Sequence, residues 1–239
     1  MDSLTGPGFY ISKTIGKAIG DYGMISDGDK IAVAVSGGKD SLTLLDILMR
    51  RQSFAPVKYD LLAIHIDLGY PRSFARDIEK YFKKIKVPYH IEKSDALKGN
   101  KKKDISCFWC SWNRRKLLFQ AADRLGFRKV ALGHHKDDIA ETILLNLFFH
   151  GEISAMSPRQ ELFDGKIVII RPLAYVEEHL IQRFTRQMRF PKIDCACPNA
   201  DTSRRATVAK VIRGIKRICP EIKTNIFRSV KRIKSEYLL

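Results

Sequence analysis

The chain has 239 residues, of which 45% are hydrophobic, so it is long enough for one sizeable core and a small appendage but not for two large domains. Its formal net charge of +17 favours a polyanionic partner, nucleic acid first, because each phosphate contact releases condensed counterions. No stretch approaches the roughly eighteen apolar residues of a membrane span, and the N-terminus lacks a signal-peptide pattern. We therefore expect a soluble, cytoplasmic protein without a membrane partner.

The five cysteines occur as two tight pairs and one single residue, namely Cys107, Cys110, Cys195, Cys197 and Cys219. An odd number in this arrangement suits metal binding in a reducing compartment better than a secreted disulfide framework. Cys219 stands alone on an apolar helical pattern, so we interpret it as a structural residue.

Apolar runs alternate with helical patterns along the chain. Strands are predicted at residues 31–35, 61–66, 88–91 and 130–132, with a further candidate at 167–170, and helices through 44–48, 73–85, 117–121, 137–149 and 176–188. This alternation predicts an α/β fold with a parallel sheet and helices on both faces. Ligands of such sheets bind beyond the carboxyl ends of the strands, so the loops after Val35, Ile66 and Leu132 are expected to carry the chemistry.

The chain is predicted to divide into an N-terminal helical segment, a catalytic domain with a metal site and a basic helical tail, at residues 1–28, 29–200 and 201–239. From Ser203 onward the tail contains eleven Lys or Arg residues and two acids, about half of the excess charge. Apolar residues recur at helical spacing over 208–218 and again over 222–233, which predicts two basic amphipathic helices. A polar segment that includes three lysines, 101–103, is predicted to be a loop.

The first predicted strand is followed by six residues, Ser36, Gly37, Gly38, Lys39, Asp40 and Ser41. Two glycines allow close backbone approach, and the free N–H groups of the following helix attract an anion, so we interpret the loop as a phosphate cradle rather than a turn that only caps the helix. The spacing is neither the Walker A pattern nor the dinucleotide fingerprint. The loop resembles the PP-loop of ATP pyrophosphatases, which implies that ATP is split between its α and β phosphates.

The fourth strand runs into the sequence Leu-Gly-His-His-Lys-Asp-Asp, residues 132–138. Gly133 is expected to let the ribose or the adenine approach the backbone. We interpret His134 and His135 as polar contacts at the nucleotide rather than as metal ligands. Asp137 either caps the next helix or acts in the site.

Cys107 and Cys110 form a Cys-x-x-Cys pair that by itself suits zinc, a redox pair or an iron–sulfur cluster. Cys195 or Cys197 adds a thiolate from a distant loop, and no second Cys-x-x-Cys completes a zinc ribbon. Three cysteine ligands leave one iron of a four-iron cluster open for sulfide, which is what sulfur transfer needs. Two arginines follow soon after the pair and favour thiolates over buried, unreactive thiols.

The order of these motifs, together with Ile-Arg-Pro-Leu-Ala-Tyr at residues 170–175, is similar to the 2-thiocytidine tRNA sulfurtransferase family and its thiouridine relatives over about residues 30–213. The resemblance implies the adenine nucleotide alpha hydrolase-like fold of PP-loop ATP pyrophosphatases, with ATP, Mg²⁺, a 4Fe-4S cluster and tRNA. By position, the implied cluster ligands are Cys107, Cys110 and Cys197. The implied nucleotide-binding residues are Ser36, Gly37, Gly38, Lys39, Asp40, Ser41, Ile66, Gly133 and Asp138, and the implied catalytic residues are Lys39, Arg114 and Asp138.

Two departures from that family bear on the assignment. Cys195 and Cys197 are one residue closer together than the late cysteines of the thiocytidine enzymes, but Pro198 and Arg205 align with the thiouridine relatives and favour Cys197. The paired-cysteine zinc fingers of many thiouridine enzymes are absent from the sequence. This points toward cytidine and leaves uridine as the alternative base.

The resulting hypothesis is ATP-dependent tRNA thiolation. The target carbonyl oxygen attacks the α-phosphate, pyrophosphate departs and sulfide displaces AMP, while Lys39 stabilises phosphate charge. The basic tail and the lysines at 101–103 hold the tRNA backbone, and the target base is extruded.

Two other functions stay open. One is a PP-loop tRNA-base ligase that uses an amine, for which the cysteines are dispensable; the other is a zinc-containing, non-catalytic RNA-binding protein. The sequence also leaves open the modified position, a homodimer, and whether the sulfur donor is sulfide, a cysteine desulfurase or a sulfur-carrier protein.

Overall fold

The computed structural model describes residues 4–69, 74–94, 107–191 and 204–237. The helices in these ranges are α1 (Gly6–Asp21), α2 (Lys39–Arg51), α3 (Ala75–Ile85), α4 (Cys107–Arg124), α5 (Lys136–His150), α6 (Glu178–Met188), α7 (Arg204–Lys216) and α8 (Ile222–Ser229). The strands are β1 (Asp29–Ala34), β2 (Tyr59–Asp67), β3 (Tyr89–Lys93), β4 (Lys129–Ala131), β5 (Arg159–Leu162) and β6 (Ile167–Ile170). Short 3-10 turns cover Pro172–Tyr175 and Ser235–Tyr237.

Within these ranges the strands form a sheet in the order β3-β2-β1-β4-β6-β5. Neighbours from β3 to β6 pair in parallel, whereas β5 pairs antiparallel with β6. The predicted strands are all present, with ends shifted by at most two residues, so the α/β fold is confirmed. The edge strand β5 was not predicted, because Arg-Gln-Glu-Leu has neither an apolar run nor a clear alternation.

Helices cover both faces of the sheet, as predicted. Because adjacent residues of a strand point to opposite faces, Val33 lies in the cluster with Ile15 of α1 and Leu44 of α2, while Ala32 lies in the cluster with Leu118 of α4. The residues of β6 are buried on both faces, which explains its continuous apolar sequence. None of the helices in the described ranges has both the length and the apolar composition that a bilayer crossing requires.

The basic tail packs on α5. Val208 and Ile212 of α7 and Ile226 of α8 lie in a cluster with Ile139 and Ile143 of α5. The two predicted tail helices are therefore present, although α8 ends before its apolar repeat is complete. The helix predicted from residue 176 likewise begins later, because a 3-10 turn and two extended residues come first. The division of the chain at residues 28 and 200 stays a prediction.

The loops after β1 and β4 meet at the point where the strand order reverses. The chain proceeds from β1 to β2 on one side of β1, whereas β4 lies on the other side, so both loops border one crevice. A Cβ atom at Gly133 would lie 3.1 Å from backbone atoms of Asp40 and Ser41. The two loops are thus in direct backbone contact, and the contact requires glycine.

Gly133→Ala is expected to destabilise the protein by about 1–3 kcal/mol, because the added methyl group meets backbone atoms that have no freedom to rotate away. Gly20→Ala is the matched control, since a Cβ at Gly20 of α1 meets nothing within 4 Å. The control should be neutral or stabilising by less than about 1 kcal/mol. Urea unfolding followed by circular dichroism compares the two variants, and equal free energies of unfolding would contradict the close contact.

Candidate active site

A cleft of about 330 Å³ opens at the carboxyl ends of the parallel strands, between the loops that follow β1 and β4. The predicted site residues in its lining are Ser36, Asp40, Ser41, Ile66, Arg114, Gly133 and Asp138. Gly37, Gly38 and Lys39 complete the first of the two loops and the start of α2. The structure therefore brings together predicted nucleotide-binding residues from separate parts of the chain.

Hydrogen bonds within the first loop hold it against the start of α2. Ser36 Oγ lies 3.2 Å from Ser41 Oγ and accepts the Gly38 N–H at 3.3 Å. The Ser41 hydroxyl donates to the Gly38 carbonyl oxygen at 2.9 Å, and Gly37 has a φ of 93°. Because α2 begins at Lys39, its first N–H groups face the loop. This local geometry suits the binding of an anion.

Lys39 lies between two carboxylates. Its Nζ is 3.1 Å from Asp40 Oδ2 and 3.0 Å from Glu178 Oε1. Burial opposes the charged form, but the two acids prevail and raise the pKa of Lys39. Burial also raises the pKa of Asp40 in spite of the nearby ammonium group. Lys39 is therefore a cation at neutral pH. Phosphate oxygens of a bound ligand would compete with Glu178 for its ammonium group.

The start of α5 is fixed by reciprocal hydrogen bonds. The His135 N–H donates to Asp138 Oδ2 at 3.0 Å, and the Asp138 N–H donates to His135 Nδ1 at 3.3 Å. The cap proposed for Asp137 is therefore wrong, because His135 precedes the helix and its ring accepts the third N–H. Asp138 Oδ1 also accepts from Arg205 Nη1 at 3.2 Å. These contacts hold the Asp138 carboxylate at the edge of the cleft.

Asp137 is instead a buried junction of three helices, with 3% of its surface exposed. Its Oδ2 accepts the N–H of Glu178 at the start of α6 at 2.9 Å, and its Oδ1 pairs with Lys223 of α8. Lys136 adds a second link to α8 through Thr224 Oγ1, at 2.6 Å. The basic tail is thus tied to the helix start that forms one wall of the cleft.

A neutral imidazole lines the cleft at His134. Burial, together with the charge of Arg171, lowers the pKa of His134 to about 4. Arg171 Nε donates to His134 Nδ1 at 3.2 Å, so Nε2 carries the ring proton. Arg171 is itself buried, which lowers its pKa to about 10, and it also donates to the Ser157 carbonyl oxygen. His134 is therefore an uncharged hydrogen-bond donor at neutral pH.

The first turn of α4 brings the Cys-x-x-Cys pair beside the cleft. Cys110 is half-buried and packs against the apolar cluster that contains Ala32 and Leu118. Arg114, one turn later, lines the cleft. Cys107 is three residues earlier in the same first turn, at the end of the helix where the dipole favours thiolates. The side chain of Cys107, and Cys195 and Cys197 entirely, lie outside the described residues. Thiolates in this position suit an iron–sulfur cluster.

Two residues of the cleft wall have buried polar atoms whose chemistry fits contact with a bound nucleotide. Among the described residues, Asp40 Oδ1 and Arg114 Nε are buried and have no hydrogen-bond partner. The nearest imidazole nitrogen, His135 Nε2, is 3.8 Å from Asp40 Oδ1, which is too far for a hydrogen bond. Carboxylate oxygens are ligands of Mg²⁺, and guanidinium groups bind phosphate, so these residues fit a magnesium–ATP complex.

Comparison with known proteins shows the family. Residues 10–212 match the family defined by the PP-loop domain. A tRNA-cytidine(32) 2-sulfurtransferase from Geobacter sulfurreducens is 41% identical over 235 residues, covering 96% of this chain and 91% of that relative. The enzyme of the same name from Polynucleobacter asymbioticus is 40% identical over 234 residues, covering 96% and 78%. The chain belongs to the PP-loop tRNA sulfurtransferase family. The resemblance drawn from the motifs is thereby confirmed.

The fold of this PP-loop protein also matches a solved structure, the U34-tRNA thiolase NcsA from Methanococcus maripaludis with its 4Fe-4S cluster. The TM-score is 0.78, the identity is 21%, and the match covers 97% of this chain and 79% of that one. At this identity the likeness concerns the fold, and it agrees with the PP-loop α/β architecture.

Several residues at or beside the cleft of this PP-loop protein were missed by the sequence analysis. His65 lines the cleft near the end of β2 and its Nδ1 lies 2.8 Å from the Val35 carbonyl oxygen, while Arg171 directly follows β6. A polar residue where a buried strand ends is a signal that would have found both. Glu178, the partner of Lys39, gave no such signal, because it begins an amphipathic helix whose acids are usually solvated.

The low pKa of His134 predicts a pH-dependent stability. The pKa is about 4 in the folded protein and 6.5 ordinarily, so the unfolded chain binds more protons between these values. The free energy of unfolding should therefore fall as the pH drops from about 6.5 to about 4, by roughly 3 kcal/mol at most from this group. His134→Gln keeps an acceptor for Arg171 but does not titrate, so the variant should lose this component in urea unfolding at pH 4 to 7. Parallel stability profiles of the two proteins would contradict the assignment.

The buried pair of Asp137 and Lys223 predicts a non-additive double-mutant cycle. Lys223→Met leaves the Asp137 charge uncompensated and should destabilise the protein by about 3 kcal/mol. Asp137→Asn removes that charge, so adding it to Lys223→Met should recover part of the loss. Urea unfolding of the two single variants and the double variant measures the coupling. A double variant whose loss equals the sum of the single losses would show that the two groups do not interact.

Proposed function

We propose that this protein is an ATP-dependent tRNA thiolase that replaces the 2-carbonyl oxygen of cytidine 32 with sulfur. The target is supported by relatives that are named for cytidine 32 and are 40–41% identical to this chain. They favour cytidine over the uridine alternative. The proposed class of reaction is the one typical of the PP-loop tRNA sulfurtransferases, to which the chain belongs.

One observation carries the proposal. A single cleft is bordered by the PP-loop, by Asp138 and by the helix that begins with the Cys107 and Cys110 pair. Activation of a base by ATP and delivery of sulfur to the same base require both sets of groups within reach of one substrate atom. A zinc-containing binding protein needs no such coincidence.

The first step needs stabilisation of phosphate charge. The carbonyl oxygen of the base attacks the α-phosphate and pyrophosphate leaves, so negative charge accumulates at the loop. We assign its stabilisation to the N–H groups at the start of α2, to Lys39 and to Arg114. Lys39 would exchange Glu178, 3.0 Å away, for phosphate oxygens. A sulfur nucleophile then adds to the activated carbon, and AMP leaves with the original oxygen.

Asp138 and His134 are assigned to the base and the ribose. The Asp138 carboxylate is held by the His135 N–H and by Arg205, so it keeps one orientation while substrate binds. The neutral His134 ring supplies a donor that does not repel other cations of the cleft. Both are positioned to orient the nucleotide by hydrogen bonds.

The metal groups are assigned from donor chemistry. Asp40 would hold Mg²⁺ with the ATP phosphates. Cys107, Cys110 and Cys197 would hold a 4Fe-4S cluster, which when bound supplies an open iron site for sulfide. Cys195 is the alternative third ligand.

The tRNA is assigned to the basic tail and the cleft rim. α7 contains five basic residues and no acidic one, and it packs directly on α5, whose first turn lines the cleft.

The proposed cysteine thiolate ligands persist in a reducing compartment, which suits the cytoplasm. The sulfur donor and the homodimer stay predictions.

Anaerobic reconstitution followed by thiolation of an unmodified tRNA tests the function. The wild type should bind about four irons per chain and form thiolated cytidine, AMP and pyrophosphate, detected by mass spectrometry of tRNA digests and by nucleotide analysis. Cys107→Ala and Cys197→Ala should lose both iron and thiolation. Cys219→Ala is the matched control, because this half-buried cysteine follows α7, contacts Asn225 of α8 and lies outside the cleft lining.

Other outcomes select the alternatives. Bound zinc without iron and no AMP formation would identify a binding protein. ATP-dependent modification that survives loss of the cysteines would identify an amine-using ligase. Thiolation of a tRNA with uridine at position 32 as fast as one with cytidine would refute the proposed base.

A further inference from the structure

The end of α5 exposes a group of large apolar side chains. Leu147, Phe148 and Phe149 are 44%, 54% and 40% exposed, and Ile153 in the following segment is 57% exposed. Helix α5 ends at His150, and the following Gly151 adopts a φ of 66°, so the group lies where the chain turns away. Exposed apolar surface of this kind is typical of a binding site rather than of an ordinary solvated helix end.

An arginine of the tail lies on one of these rings. The Arg204 guanidinium carbon is 5.1 Å from the centre of the Phe149 ring, and both residues are exposed. An aromatic face beside a planar guanidinium is the combination on which unpaired nucleic-acid bases stack. The pair therefore offers a flat surface with a positive charge at its edge.

Helices α5 and α7 connect this surface to the cleft. Arg205, next to Arg204 at the start of α7, donates to Asp138 Oδ1 at 3.2 Å and to Thr142 Oγ1 at 3.3 Å. Asp138 lines the cleft, and Phe149 is eleven residues further along α5. Since a helix rises about 1.5 Å per residue, the two ends of this path are about 16 Å apart. A short single strand that leaves the cleft along α5 would reach the ring.

Charge favours RNA over a second copy of this chain. All five charged residues of α7 are basic, and one of them, Arg204, lies over the Phe149 ring of the apolar group. Two copies would bring these cations together, which like-charge repulsion opposes. An RNA strand with unpaired bases matches both the positive charge of α7 and the exposed Phe149 ring.

We propose that Phe149 and Arg204 stack an unpaired tRNA base that neighbours the target nucleotide, while Arg205 guides the strand from the cleft along α5. This inference rests on the proposed function, because it takes tRNA as the substrate. It adds a site on the protein that orients the tRNA loop around the target base. The contact contributes to tRNA binding and not to ATP binding.

Phe149→Ala in the full-length, reconstituted protein tests the stacking. We expect the Kd for unmodified tRNA, measured by fluorescence anisotropy, to rise about tenfold, as loss of one base–aromatic stack predicts. The Kd for ATP should stay within twofold. Phe149→Trp should retain tRNA affinity, because a larger ring preserves the stack.

Phe54→Ala is the matched control. Phe54 is also exposed and also has an arginine over its ring, with the Arg51 guanidinium carbon 5.5 Å from the ring centre. Phe54 follows the C-terminal end of α2, whereas the cleft lies at the N-terminal end of that helix, so the two are on opposite sides of the molecule along α2. Its variant should bind tRNA within twofold of the wild type.

An abasic scan locates the stacked base. Stem-loop substrates that lack one loop base at a time should include one for which Phe149→Ala no longer weakens binding, because the partner of the ring is already missing. A Phe149→Ala protein that binds tRNA as tightly as the wild type would overturn the inference. So would an unchanged tRNA affinity combined with a smaller mass in solution, which would assign the surface to a second copy. If the wild type neither binds nor thiolates tRNA, the proposed function itself fails.

Discussion

The backbone contact between the two loops at the strand-order reversal is the constraint on which the site depends. Gly133 touches the backbone at Asp40 and Ser41, so the phosphate loop and the start of α5 are placed against each other without an intervening side chain. Ser36, Asp40 and Ser41 on one side and His134 and Asp138 on the other are positioned by this contact. The parallel strands underneath are buried on both faces and give it a rigid base. The close approach of these two loops brings the groups proposed for nucleotide and base chemistry into one cleft.

The second organising feature is the buried charge at the start of α5. Asp137 joins α6 through the Glu178 N–H and α8 through Lys223, while Glu178 itself reaches Lys39 of the phosphate loop. The basic tail is thus part of the support of the site, besides its proposed role as a surface for a polyanion. The proposed binding of RNA to the tail and the proposed binding of phosphate at Lys39 would act on neighbouring contacts of one network. Coupling between the two substrates is a natural result of this arrangement.

Periodicity and loop chemistry predicted most of the fold, because buried parallel strands are continuous apolar runs and the phosphate loop needs glycines. The antiparallel strand β5 escaped prediction because an edge strand is half solvated and its sequence is polar. The cap of α5 considered for Asp137, one of two roles left open, was wrong for a different reason: histidine is not among the usual N-cap residues, so the sequence offered the aspartate as the candidate. Pairings such as Lys39 with Glu178 depend on how α6 approaches the loop, a long-range property that no local pattern contains. The cleft residues with strong local motifs were found, and those placed by packing were not.

Arg171 joins the inside of the cleft to the outer surface. Its side chain donates to His134 in the cleft and to the Ser157 carbonyl oxygen, and its own N–H donates to the Pro158 carbonyl oxygen at 2.8 Å. Residues 151–158 are the connection that also holds exposed Ile153. Moving this connection away from the sheet therefore requires either breaking its hydrogen bonds to the buried Arg171 or displacing the His134 ring that lines the cleft.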